Sequence, residues 1–162
     1  MSVLPLRLAP DPILRQKAKR VRNIDGSIQK LVEDMIDSMR ASQGVGLAAP
    51  QIGVSLRVIV IEVPDQKVLT LINPSIVRRT GERDVHEGCL SMPGYRGEIK
   101  RAEKVVAKGI GLDGKEIRVK AQELLAQALE HEIGHIRGVL YTDLLESMDK
   151  MYKVEPPKEE EE

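Results

Sequence analysis

The chain has 162 residues, a length that suits one domain able to bury its own core. Its 25 Lys and Arg balance 25 Asp and Glu, which excludes the broadly basic surface of a general nucleic-acid binder and leaves room only for local patches. Trp and Phe are absent and Tyr numbers only 3, so the core is aliphatic and stacking of bases or sugars on aromatic rings is disfavoured. The single Cys forbids an internal disulfide, and a lone Cys in a chain with few His points to catalysis or metal binding. Met1 to Arg7 lack a charged stretch followed by an apolar one, and no run of about 18 apolar residues exists. A soluble, cytoplasmic protein is expected.

No internal repeat is present. Asp11-Pro12 is a helix-start signal, a capping side chain before a proline at the first helical position, and predicts a short helix to about Lys19. Ile28, Leu31, Val32, Met35, Ile36 and Met39 keep helical spacing and predict a second helix that stops before Gly44. Gly44-Val45-Gly46-Leu47-Ala48-Ala49-Pro50-Gln51 reads as a loop of small residues, poor as helix or strand. Residues 56–62 and 68–73 read as strands, rich in Val, Ile and Leu. Residues 104–112 and 116–120 flank Asp113-Gly114, a hairpin turn signal. A helix from about Ala121 to Arg137 carries Leu124, Ala128, His131 and His135 on one stripe, with Gly138 as its stop. A last helix is expected from Leu144 to about Lys153, before Pro156-Pro157. These elements predict an α+β fold: antiparallel β-sheets packed around a central helix, with N-terminal and C-terminal helices. Residues 1–153 form one catalytic domain in this reading, and 154–162, ending in Lys158 and four glutamates, form an acidic, disordered tail.

The most informative feature is His131-Glu132-Ile133-Gly134-His135. Two histidines four residues apart on a helix share one face and lie about 6 Å apart. That spacing suits two imidazoles on one tetrahedral metal ion, with the intervening glutamate as proton carrier. Taken alone the pattern arises often by chance, and a lone cysteine is more often a small buried hydrophobe than a ligand. Together they carry more weight, because the histidines need a third partner and Cys89, in Glu87-Gly88-Cys89-Leu90-Ser91, supplies a thiolate. His86 is the competing imidazole, but Asp84 and Glu87 beside it suggest a solvated position. Two familiar zinc-protease patterns fit less well. One continues to a third histidine where this chain has Tyr141, although Gly138 matches. The other takes a glutamate some 20 residues further on, where only Glu155 and the tail glutamates stand. Three protein ligands, Cys89, His131 and His135, would leave the fourth metal position open, as catalysis requires, and Glu132 would pass the water's proton to the departing amine.

Three segments in order, residues 44–51, 87–91 and 131–135, resemble the peptide deformylases, and the similarity extends over most of residues 1–150. The resemblance implies removal of the N-formyl group from the formylmethionine that begins new bacterial proteins. Its substrates would then be N-formylmethionyl peptides and nascent chains, met at the ribosome, with no specific nucleic-acid sequence and no membrane. It also implies one divalent metal, Fe2+ natively, with Zn2+, Ni2+ or Co2+ able to take the site. The family's oxyanion donors correspond here to the Gln51 side-chain amide and the Leu90 backbone N–H. Substrate would pair as an extra strand beside Gly44, Val45 and Gly46, where glycine allows close approach. Val45, Glu87, Leu124, Ala128 and the His131 ring become candidates for a methionine pocket; Leu124 and Ala128 read equally well as ordinary core. Arg96 becomes a candidate contact to the substrate backbone, or else a solvated hairpin arginine. The chain departs from the pattern in having Gly134 for aspartate and Glu130 for glutamine. A carboxylate at 134 would pair with a nearby arginine, Arg101 if that residue is free, while Glu130 adds negative charge beside the first ligand. Two other readings keep the same site: a metallopeptidase or different amide hydrolase, and a peptide-binding homologue without turnover.

Overall fold

The computed structural model describes residues 2–154. The α1 helix, Gly26–Ala41, opens on Asp25, whose carboxylate accepts from Ser27 N at 3.0 Å and Ile28 N at 3.3 Å, satisfying donors that a helix start leaves free. Its buried face is the sequence stripe Ile28, Leu31, Val32, Met35 and Met39. Eight strands follow: β1 Gly46–Ala48, β2 Val58–Ile61, β3 Leu69–Thr80, β4 Arg83–Cys89, β5 Met92–Arg101, β6 Lys104–Ile110, β7 Glu116–Gln122 and β8 Met151–Lys153. The α2 helix, Glu123–Ile136, lies between β7 and β8. Among the described residues these strands pair antiparallel throughout, and one isolated parallel bridge joins Lys19 to Leu56. One sheet runs β1-β2-β3-β6-β7 and the other β4-β5-β8.

Every residue of β2 is buried, and its alternation explains the layering. Val58 and Val60 join the cluster beneath α1 with Leu47 and Ile72, whereas Ile59 and Ile61 join the cluster beneath α2 with Leu71, Val105 and Ala107. Successive side chains of a strand point to opposite faces, so the sheet is covered by one helix on each side and α2 is fixed across it. The expected α+β fold, with antiparallel strands packed on the ligand-bearing helix, is the fold observed.

Four local expectations change. The helix predicted from Asp11-Pro12 is a single 3-10 turn, Pro12–Arg15, because the chain beyond it goes to other partners: Ala18 N donates to Ile136 O at 2.8 Å and Lys19 N to Ser55 O at 2.9 Å. The segment read as a loop contains strand β1, at the edge of its sheet, and a 3-10 turn at Ala49–Ile52. Backbone pairing to β2 compensates there for weak strand propensity. β3 continues past Pro74 to Thr80, since a register shift between Ile72 and Ser75 accommodates a proline without an N–H. The C-terminal helix expected over 144–153 is absent: the stretch forms 3-10 turns at Tyr141–Leu144 and Met148–Lys150 and then strand β8, which pairs with β5. Apart from Val154, the acidic tail expected at 154–162 lies outside the described residues. Among the described residues no helix is long and apolar enough to cross a membrane.

Candidate metal centre and its cleft

The sequence reading assigned no strands to residues 83–101, which carry the cysteine. Charges, Pro93 and several glycines hide them. They form the β4-β5 hairpin, in which Cys89 pairs with Met92 and Leu90-Ser91 make the connection. The hairpin tip therefore brings Cys89 to α2. Cys89 Sγ lies 3.2 Å from His135 Nε2, which lies 3.1 Å from His131 Nε2. Among the described residues these three form a group able to hold a metal ion, their ligand atoms all within 4.8 Å of one another. His86 is not part of it. It is exposed and its Nδ1 meets the Tyr152 hydroxyl at 2.9 Å.

Both imidazoles present Nε2 to the common point, so Nδ1 of each faces the protein. His131 Nδ1 hydrogen-bonds the Glu87 carboxylate. Glu87 also receives Arg101 Nη2 at 2.5 Å and Nε at 3.0 Å, a two-pronged pair with both partners buried. Gln127 Nε2 adds a contact to Glu87 at 3.3 Å. Burial works to raise the Glu87 pKa, but the bonds from His131 and Arg101 outweigh it and hold the group at about 2. An ionised carboxylate on Nδ1 fixes the histidine tautomer and makes Nε2 a better ligand. The Tyr141 ring, 1% exposed, stacks on His131 with ring centres 6.5 Å apart. The sequence offered Tyr141 only as a missing third histidine; its packing role depends on the hairpin that the sequence did not reveal. His135 is held neutral by burial and by the neighbouring His131.

Glu132 is 4% exposed, with Oε1 lacking a hydrogen-bond partner. Burial, opposed by His131, pushes its pKa up to about 7. Gly46 on β1 makes room for it, since a Cβ there would stand 2.5 Å from Glu132 Oε2. Gln51 is 1% exposed. Its Oε1 accepts from Ala48 N at 2.9 Å, while Nε2 donates to Ser91 Oγ at 3.1 Å and faces Cys89 Sγ at 3.7 Å. The group opens on a cavity of about 520 Å³, within the range of small-molecule and peptide sites. Gly44, Val45, Gly46, Leu90, Arg96, Leu124 and Ala128 all line it, as do Gln51, Glu87 and Glu132. Leu124 and Val45 stand exposed at its wall. Arg96 is exposed and donates to the His86 carbonyl at 3.0 Å. The Glu87 carboxylate, though it lines the cavity, is engaged by His131 and Arg101.

The residues fit a divalent ion. Ions bound at about 2.0–2.3 Å by nitrogen and sulfur hold neighbouring ligand atoms roughly 3.3–3.6 Å apart in a tetrahedron, close to the separations here. Burial lowers the proton affinity of His131, but the carboxylates of Glu132 and Glu87 and a hydrogen bond with Cys89 outweigh it and raise that affinity well above normal. A cation at the Nε2 side answers the same electrostatic demand. A cysteine sulfur, two imidazoles and an unpartnered carboxylate at the floor of a cleft define a metal-dependent hydrolase.

The comparisons name the family. Residues 3–151 match the model of the polypeptide deformylases, and the chain belongs to that family. A peptide deformylase of Dehalococcoides mccartyi (strain CBDB1) is 54% identical over 160 residues, 98% of this chain and 96% of the relative. One from Thermomicrobium roseum is 46% identical over 170 residues, covering 100% of this chain and 96% of the relative. The crystal structure of a peptide deformylase from Legionella pneumophila superposes with a TM-score of 0.88 at 44% identity, over 92% of this chain and 89% of that one. That of the Synechococcus elongatus peptide deformylase in complex with actinonin gives 0.88 at 38% identity, over 91% and 81%.

Both departures from the family pattern acquire physical accounts. Glu130 has partners of its own. Its Oε1 accepts from Ala102 N at 2.8 Å and its Oε2 meets Arg79 Nε at 3.4 Å. Arg101, expected as a partner for a carboxylate at 134, is already taken by Glu87. A Cβ at Gly134 would meet Val139 O at 3.5 Å, ordinary contact, close to the negative end of α2. Aspartate there does not find Arg101 free and opposes the helix dipole, so it is not expected to stabilise. Gly134→Ala is expected to stabilise by about 1 kcal/mol, seen as a melting temperature about 2–4 °C higher. An unchanged or lower melting temperature would contradict this account of the space.

Glu87→Gln is expected to weaken metal binding about 10–100-fold, the usual effect of losing an outer carboxylate on a ligating histidine. It also leaves Arg101 buried beside a neutral amide. Chelator competition on the purified variant measures the affinity, and wild-type retention of metal would remove Glu87 from this role.

Proposed function

We propose that this chain hydrolyses the N-formyl group of formylmethionyl peptides, releasing formate and the Met-peptide. The convergence of Cys89, His131 and His135 with the buried Glu132 at the floor of the cleft carries this reading. Cys89, His131 and His135 would hold one divalent metal, Fe2+ in the cell, with Zn2+, Ni2+ or Co2+ as substitutes. When bound, it supplies Lewis acidity and brings water ionisation down from about 15.7 toward neutrality.

The remaining work falls to the chain's own groups. Burial raises Glu132's affinity for a proton, so it can take one from the attacking water and deliver it to the departing amine nitrogen. The Gln51 Nε2 donor faces Cys89, and together with the Leu90 N–H it would stabilise the oxygen of the attacked carbonyl as negative charge develops. β1 is a sheet edge beside the cavity, so an extended peptide can add to it as a further strand. Leu124, Ala128 and Val45 offer the methionine side chain an apolar wall, and Arg96 at the rim can meet the peptide backbone. That the Synechococcus protein binds actinonin supports a ligand-binding role for this fold. We place the enzyme in the cytoplasm, acting on nascent chains as they leave the ribosome, with residues 1–153 as its catalytic domain.

Formate release from a formyl-Met peptide, measured beside cleavage of its unformylated counterpart, tests the reading. Cleavage of the unformylated peptide would instead indicate a peptidase, and binding without formate a non-catalytic homologue. Gln51→Ala is expected to lower kcat more than it raises KM, by roughly 10²–10³-fold if the whole donor is lost. A change confined to KM would place Gln51 in ground-state binding.

A further inference from the structure

The two proposed oxyanion donors sit on separate elements. Gln51 belongs to the 3-10 turn that follows β1, while Leu90 belongs to the β4-β5 connection of the other sheet. Among the described residues, hydrogen bonds between those two segments come only from Gln51 Nε2, to Ser91 Oγ and Cys89 Sγ. Donors that stabilise a developing charge need placement within about half an ångström. Something must hold the two segments in register.

The amino-terminal segment spans both. Its first residues are anchored on α1, where Ser2 N donates to Asp34 Oδ1 and Leu4 N to Ser38 Oγ, each at 2.9 Å, while Leu4 and Leu6 pack on the α1 cluster. Arg7 N then donates to Gln51 O at 2.6 Å, and Ala9 N to Ser91 O at 2.8 Å. Two N–H groups only two residues apart thus reach both segments, just where the chain enters the turn closed by Asp11 N on Leu8 O at 2.9 Å. The Gln51 Nε2–Ser91 Oγ bond closes the ring. Further along, Ala18 N donates to Ile136 O and the Arg15 carbonyl lies where a Cβ on Gly138 would stand, 2.5 Å away. The same segment thus also docks on the end of the ligand helix.

We propose that residues 2–9 are a positioning strap: Arg7 and Ala9 act through their backbone N–H groups to set the Gln51 amide and the Leu90 peptide at a common oxyanion. This rests on the reading of Gln51 and Leu90 given above. Neither residue lines the cavity, and the Arg7 side chain is largely exposed, meeting Asp11 at 3.4 Å and lying over Gly53. Backbone geometry, not side-chain chemistry, carries the effect.

Proline removes the N–H, whereas alanine keeps it. Arg7→Pro and Ala9→Pro are each expected to lower kcat for a formyl-Met peptide about tenfold, less than the full loss of a donor, with KM within twofold and metal content unchanged. Arg7→Ala is expected to stay within about twofold of wild type. In a Gln51→Ala background Arg7→Pro should have less than a twofold further effect, since contacts through a shared group are not additive. The side-chain amide resonances of Gln51 should shift in Arg7→Pro and not in Arg7→Ala, a readout independent of turnover. Full kcat with unshifted Gln51 resonances in both proline variants would overturn the proposal. So would an equal loss in Arg7→Ala, or a loss that simply multiplies with that of Gln51→Ala. Should Gln51→Ala keep full kcat, the oxyanion reading fails, while the resonance shift still decides whether the strap sets the amide.

Discussion

Glu132→Ala is expected to keep its metal and lose about 10²–10⁴-fold in turnover, the usual contribution of a positioned acid–base group. The ligand atoms belong to Cys89, His131 and His135, and none is held by Glu132, so the site should load normally. What disappears is a carboxylate that is buried, unpartnered at Oε1 and raised to about 7. A group in that state exchanges protons readily near neutral pH, because neither form is strongly preferred. Removing a buried, poorly compensated carboxylate also relieves a desolvation cost, so the variant should melt no lower than the parent beyond the effect of a small cavity. Glu132→Gln sharpens the test, since it fills the same space against Gly46 and still cannot carry the proton. Metal content by elemental analysis and formate release on the same samples decide the matter. Near-parental kcat in the glutamine variant would make Glu132 structural.

How much of this was legible in the sequence differs from element to element, and burial explains the difference. α1 and β2 were readable because each buries a continuous apolar face, and periodicity reports burial. The ligand helix was readable for the same reason, with the additional signal of two histidines one turn apart. β4 and β5 were not. Their sheet is small and much of β5 is exposed, so charges and glycines interrupt the alternation on which strand reading depends. β8 failed likewise: three residues paired to an edge carry too little pattern to outweigh the helical spacing suggested by Leu144 and its successors.

The site followed a similar rule. Cys89, His131, Glu132 and His135 are chemically distinctive and could be named from residue type and spacing. Their supports could not, because they are joined only in space. The Glu87–Arg101 pair spans 14 positions and Tyr141 reaches His131 from beyond the helix. One condition failed for that reason. Arg101 was named as a partner for residue 134 on condition that it is free, and its side chain is held by Glu87.

The largest effect on the metal is expected from Cys89→Ala, which should lose affinity by more than the 10–100-fold that outer partners command. Two terms act together. The variant loses a ligand atom, leaving two imidazoles that cannot alone enclose an ion. It also loses a negative charge in a buried cleft, so a divalent ion there would keep its full double charge where the thiolate had reduced it to about +1. Both terms fall on binding, and neither should disturb the fold: Cys89 ends a strand at a hairpin tip, His131 is fixed by Glu87 and Tyr141, His135 is buried, and alanine fits the vacated volume. The expected result is therefore a folded, metal-poor protein without formate release, recognised by an unchanged far-ultraviolet spectrum and a sharply reduced metal-to-chain ratio after dialysis. Cys89→Asp should recover part of the affinity, since it restores the charge, while shifting preference away from ions that favour sulfur. If Cys89→Ala retains metal at the parental ratio and affinity, the third ligand lies elsewhere, and the two histidines would need a partner that the hairpin does not supply.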